Sequence, residues 1–352
     1  MRGQPIPIRP PRNVAASVPG PGSGRDELAQ QLASRLVGQS HVIAEIVPYI
    51  QMHRAGLGPE GRPAGVFLLL GPTGTGKTRT VEALADTLHG SEKSLVRIDC
   101  GEFQMEHEIA KLIGAPPGYL GHRETPPLLT QQKLGAVTSE GSHLALVLFD
   151  EIEKAAPSMT RLLLGVLDKA VLRLGDNTSV NFERTLIFLS SNLGASAMRK
   201  EVLPDFGFGA GAATHGHSQG TLRKLSSIGL SAVKRRFSPE FVNRIDAVIT
   251  YQPLDADALE AILDQQIAAL ERHIEQRLED RAFTLDLDPS ARNFLLARGT
   301  SREYGARELK RVILRKLTQP LAAMVEAGLI PPESVVCASH QIDEEQLTLS
   351  AL

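Results

Sequence analysis

"AGVFLLLGPTGTGKTRTVEALADTLHG", residues 64–90, decides the fold. Residues 65–70 form an unbroken apolar run of strand length, as expected of a strand buried on both faces. "GPTGTGKT", Gly71 to Thr78, follows and fits the spacing G-x-x-x-x-G-K-[ST]. Apolar residues then recur at helical spacing from Val81 to Leu88. A strand, a glycine-rich turn and a helix form the context in which this spacing cradles nucleotide phosphates. Gly71, Gly74 and Gly76 free the backbone to wrap the phosphates, with Pro72, Thr73 and Thr75 between them. The helix N-terminus adds positive potential. Lys77 reaches the β- and γ-phosphates, and the Thr78 hydroxyl is a ligand for Mg²⁺.

The same alternation continues outward. "SLVRIDCGEF", "HLALVLFDEIEKA" and "RTLIFLSSN" read as further strands separated by helical segments, which predicts an α/β fold built on a parallel sheet. Asp150 and Glu151 end one apolar strand. The first can hold Mg²⁺ through water, and the second suits the polarisation of an attacking water. Asn192 ends a neighbouring strand, where it faces the same crevice and can orient that water. Before the nucleotide loop, residues 26–56 read as helix, a short break at Val37-Gly38, then helix. From about Leu254 the pattern turns mainly helical, with short strands at "AFTLDL", "SVVCAS" and "QLTLS". These shifts divide the chain into a Pro/Gly-rich disordered tail (1–25), a large nucleotide-binding domain (26–252) and a small C-terminal domain (253–352). Residues 209–220, rich in Gly, read as a mobile loop.

Composition narrows the function. The chain of 352 residues is 42% apolar and 22% charged, with a net charge of −2. That near-neutrality argues against a nucleic-acid partner. No apolar run reaches membrane-spanning length, so no membrane partner is expected. Two cysteines exclude a disulfide framework, and a reducing cytoplasm fits.

With "RLVGQ" (35–39), "GPTGTGKT", "GAPPGYLG" (114–121), "VLFDEIEKA" (147–155), "LSSNLG" (189–194), "FSPEFVNRID" (237–246) and "YGARELKR" (304–311) in this order, the chain resembles the Clp ATPases of the AAA+ superfamily. The likeness runs from about Leu32 to Gly328 and is to the second ATPase ring of ClpB, ClpA and ClpC. It implies an AAA+ P-loop fold, a parallel sheet flanked by helices, followed by a mainly helical lid with a few short strands. It implies ATP and Mg²⁺ as cofactors. By the same resemblance, Leu36 and Val37 pack on adenine and Arg307 senses nucleotide from the lid. Arg244 is the arginine finger that reaches the γ-phosphate in the neighbouring subunit, so the active form is a homo-hexamer. A guanidinium suits that task because it stays charged and can fork onto phosphate oxygens.

The resemblance also explains an aromatic set among glycines. Gly118-Tyr119-Leu120-Gly121 matches the loop with which the family grips polypeptide substrates in its central channel. A tyrosine ring offers a large flat surface to side chains of almost any sequence. The expectation is an ATP-driven unfoldase or chaperone; with no long heptad stretch in the sequence, it is read as a single-ring protein. Two alternatives stay open: the ATPase subunit of a Clp-type protease, and a nucleic-acid-remodelling ATPase. Phe206-Gly207-Phe208 stands in the interval of the family's docking tripeptide for a ClpP-type peptidase, with Phe where the family has an aliphatic residue. Substrate choice through an adaptor is equally open.

Overall fold

The computed structural model describes residues 24–115, 126–202, 219–300, 305–341 and 344–352. Tyr119, Leu120, Phe206-Gly207-Phe208, nearly all of the tail and most of the loop at 209–220 lie outside the described residues.

The described residues form ten strands: β1 (Gly65–Leu70), β2 (Val96–Asp99), β3 (Ala145–Asp150), β4 (Val171–Arg173), β5 (Ser179–Asn181), β6 (Thr185–Ser191), β7 (Ala247–Thr250), β8 (Thr284–Leu287), β9 (Val335–Ser339) and β10 (Thr348–Ala351). Five of them make one sheet in the order β2-β3-β6-β1-β7, and every pairing in it is parallel. Residues of β1, β3 and β6 are buried throughout. Successive residues face opposite sides of a sheet, and the apolar runs use both. Val66, Leu68, Val147, Phe149, Ile187 and Leu189 feed one core. Phe67, Leu69, Leu146, Leu148, Leu186 and Phe188 feed the other, where Phe67 stacks on Phe188 with centroids 5.2 Å apart. A run apolar at every position therefore makes a central strand rather than a surface one.

The second core is covered by the helices Gly24–Arg35 and Ser40–Arg54, through Leu28, Leu32, Val42, Ile46 and Ile50. The break between them falls at the expected place. Gly38 has a φ of +74°, and a Cβ there would stand 3.1 Å from Ala258 Cβ. A third apolar cluster is drawn from the helical C-terminal part, centred on Leu263, Leu295, Leu309, Leu317 and Val336. There β9 pairs with β10 antiparallel and with β8 parallel.

Two features differ from a reading based on apolar runs. The strands β4 and β5 form a two-stranded antiparallel hairpin, and β7 adds an edge to the main sheet. Both are short: β4 and β5 each bury a single residue between two exposed ones, and β7 is half-buried at its start.

Candidate functional site

The site is built where β1 ends. Leu70 leads into Gly71, whose φ is +153° and where a Cβ would lie 2.8 Å from Tyr251 Cβ. Only glycine lets the chain pass so close to Tyr251. Gly74 and Gly76 also have positive φ, +79° and +103°, and the helix Lys77–His89 starts at the next residue. The turn therefore aims its amides and the helix N-terminus into one cleft of about 290 Å³.

Lys77 is buried, and its Nζ donates to Gly71 O (2.7 Å), Pro72 O (2.9 Å) and Asn192 Oδ1 (2.9 Å). Burial pushes its pKa from 10.5 down to about 8, with nearby Glu153 and Asp150 acting in the opposite direction. Phosphate oxygens entering the cleft would take over from the two main-chain carbonyls as acceptors for this amine.

Asp150 and Glu151 stand at the end of β3, beside β6. Ser190 joins them: its Oγ donates to Asp150 Oδ1 and accepts from the Glu151 amide at 3.0 Å. Arg97 Nη2 pairs with Asp150 Oδ2 at 2.5 Å. Glu151 sits in the left-handed region (φ 56°, ψ 50°), a conformation a non-glycine residue keeps only when its surroundings hold it. Its Oε1 accepts from Asn192 Nδ2 at 3.1 Å, and its Oε2 pairs with Lys154. Asn192 therefore bridges Lys77 and Glu151, and its own amide donates to Glu153 Oε1 at 2.9 Å.

Leu36, Val37, Thr73, Gly74, Thr75, Gly76, Lys77, Thr78, Asp150, Glu151, Asn192 and Arg307 all border this cleft. Gly71 and Pro72 stand behind it and hold Lys77 through their carbonyls. Leu36 and Val37 form an apolar wall with Leu254 and Ile262. Arg307 comes from the start of the helix Ala306–Ile313, which docks on the nucleotide loop: the Ala306 amide donates to Gly74 O at 3.2 Å. Arg244 is not brought to this cleft. It follows the helix Pro239–Val242 and pairs with Asp168 at 3.2 Å.

Several residues of the site were not legible as such. Gln39 is buried, with Nε2 donating to Thr75 O (3.2 Å) and Gln252 O (3.0 Å), so one amide ties the nucleotide loop to the entry of the C-terminal part. Arg97 lies in β2 and Ser190 near the end of β6. A buried serine near the end of "LIFLSS" was the available signal; Arg97 gave none.

A cleft at the end of a central parallel strand, lined by a buried lysine, two acids and an amide, has the make-up of a P-loop nucleotide site. Comparison with known families agrees. The chain belongs to the AAA domain family (Cdc48 subfamily), whose model matches residues 62–248. A second model, the C-terminal D2-small domain of ClpB protein, matches residues 254–337. The chain is 39% identical over 317 residues to Chaperone protein ClpB of Rhodopseudomonas palustris, covering 89% of this chain and 33% of the relative. It is 38% identical over 301 residues to Chaperone protein ClpB of Meiothermus ruber, covering 86% and 32%. The chain thus spans about a third of the length of these curated relatives. Among solved structures it is similar to a chain of Hsp104 in a closed-state cryo-electron-microscopy reconstruction with ATPγS and FITC-casein. The TM-score is 0.75 at 27% identity, covering 92% of this chain and 51% of that one.

Proposed function

We propose that this chain hydrolyses ATP in a homo-hexameric ring and uses the cycle to thread polypeptide through a central channel. The observation that carries the reading is the hydrogen-bonded line Lys77–Asn192–Glu151 along the cleft. It links a phosphate-binding amine, a sensing amide and a carboxylate able to polarise water, so a change at the γ-phosphate is felt at all three. Leu36 and Val37 pack on the adenine. Thr73–Thr78 wrap the phosphates, and Arg307 reports their state to the C-terminal part. The chain works as a large domain (26–252) and a lid (253–352), in a cytoplasmic setting.

Thr78 and Asp150 offer hard oxygen donors on one cleft, which fits Mg²⁺. Among the described residues no group of three or more His, Cys, Asp or Glu is placed to hold a metal ion by itself. A cation here would therefore rest on these two residues and on phosphate oxygens, as Mg²⁺ commonly does. When bound it would neutralise charge developing on the phosphates.

Arg244 stands outside the cleft of its own chain, which supports its action on a neighbour. Tyr119 and Leu120 are the proposed polypeptide grip. The trans arrangement is tested by mixing two inactive variants. Glu151→Gln lacks the base and Arg244→Ala lacks the finger, and removal of either should cost roughly 10²-fold or more in turnover. In a mixed ring, a Glu151→Gln subunit lends its finger to an Arg244→Ala subunit, so activity should return. A mixture as inactive as its parts, beside an active wild type, would refute action in trans.

A further inference from the structure

We propose that Arg236 is a positioning residue that fastens the finger-bearing segment to the turn after Glu151, so that each subunit's nucleotide state sets the finger it presents to its neighbour. The inference rests on the role given above to Arg244. Arg236 is the last residue of the helix Gln219–Arg236. Its side chain reaches across to the turn 151–155 and makes three hydrogen bonds to main-chain carbonyls. Nε and Nη2 fork onto Glu153 O at 3.1 and 2.7 Å, and Nη2 also meets Ala155 O at 3.2 Å. Two-point contact from one planar group fixes orientation as well as distance.

Both ends of this clasp lead to the chemistry. On one side, the Glu153 carboxylate accepts the amide of Asn192, which bonds Lys77 and Glu151. A shift of Asn192 on loss of the γ-phosphate therefore pulls on Glu153. On the other side, the guanidinium lies 5.8 Å from the ring centre of Phe237, which is buried and stacked on Phe241 at 5.1 Å. Ser238 caps the helix Pro239–Val242 by accepting from Phe241 N. The Arg244 amide closes on Phe241 O at 3.2 Å. Between the clasp and the finger there is no slack: a stacked ring pair, a capped turn of helix, then Arg244. The far side of the finger is fixed as well. Asp246 accepts from Val66 N at 2.8 Å, and Arg62 Nη2 donates to Arg244 O at 3.4 Å. The segment can thus tilt as one piece about its anchor at the start of β1, driven at its Arg236 end.

Arg235 next to it provides a control, because among the described residues it bonds only within its own helix, to Ser231 O at 3.2 Å. The experiment is the dependence of ATPase on ATP concentration, together with the response of rings to rising fractions of Glu151→Gln subunits. Wild type and Arg235→Ala should be cooperative, and half-doped rings should keep well under half their activity. Arg236→Ala should lose cooperativity, with half-doped rings keeping about half, as independent sites do. Arg236→Lys keeps the charge and a long side chain but cannot fork, so it should lose cooperativity in a folded protein even where alanine destabilises. Cooperative hydrolysis in both Arg236 variants would overturn the clasp alone. A non-cooperative wild type would overturn the clasp together with the ring on which it rests.

Discussion

Asn192 shows how much one side chain can be asked to do. Its amide oxygen accepts from Lys77, its amide nitrogen donates to Glu151, and its backbone holds Glu153. A polar residue closing an apolar strand marks a crevice residue in the sequence, but its partners come from two other segments, the nucleotide loop and the turn 151–155. Cys100 shows the converse case. It follows β2, is fully buried, and lies among Asp150, Asp99, Glu153 and Glu151. Burial first, then these acids, push its thiol far above the ordinary value of 9.0. The thiolate is the reactive form, and it is the form disfavoured here. The folded protein at pH 9 should therefore alkylate at Cys337, which is only half-buried, while Cys100 stays unlabelled until denaturant is added. Equal labelling of both thiols in the folded state, read by peptide mass spectrometry, would contradict this burial. Lys77, Thr78, Asp150, Glu151 and Asn192 could be picked from sequence because they stand at the ends of apolar strands or in the turn and helix that follow one, whereas Arg307 was indicated only by the resemblance to the Clp ATPases. Gln39, Arg97 and Ser190 could not, because their partners lie far along the chain.

At the scale of elements, long apolar runs announced β1, β3 and β6, since a strand buried on both faces has no polar positions to hide its pattern. The hairpin β4–β5 gave no such run, yet it props the stem of the segment that carries Tyr119. The Gly175 amide, just past β4, donates to Ile113 O at 2.8 Å. A Cβ on Gly175 would strike the Gly114 carbonyl oxygen and come within 3.0 Å of the Ala115 carbonyl carbon. Both are backbone atoms, so neither can swing aside. Gly175→Ala should cost about 1–3 kcal/mol of stability, the usual range for overpacking, and should weaken polypeptide-stimulated turnover. A wild-type melting temperature with undiminished stimulation would show that the stem yields without consequence.

Across the whole molecule, the sheet with its two apolar faces and the helical C-terminal part with its own cluster meet at the nucleotide loop. Gln39 and Ala306 supply the polar contacts there. A ligand in the cleft touches both parts, so its hydrolysis can change the angle between them. Such motion becomes mechanical work only if something is gripped, and Tyr119 is the residue assigned to that grip. The direct test is steady-state ATPase with and without casein as an unfolded polypeptide, in wild type and in Tyr119→Ala. The account predicts stimulation of the wild type and none of the variant. Equal stimulation of both proteins would contradict the threading role of Tyr119, and with it the proposal that this ATPase works by pulling on polypeptide.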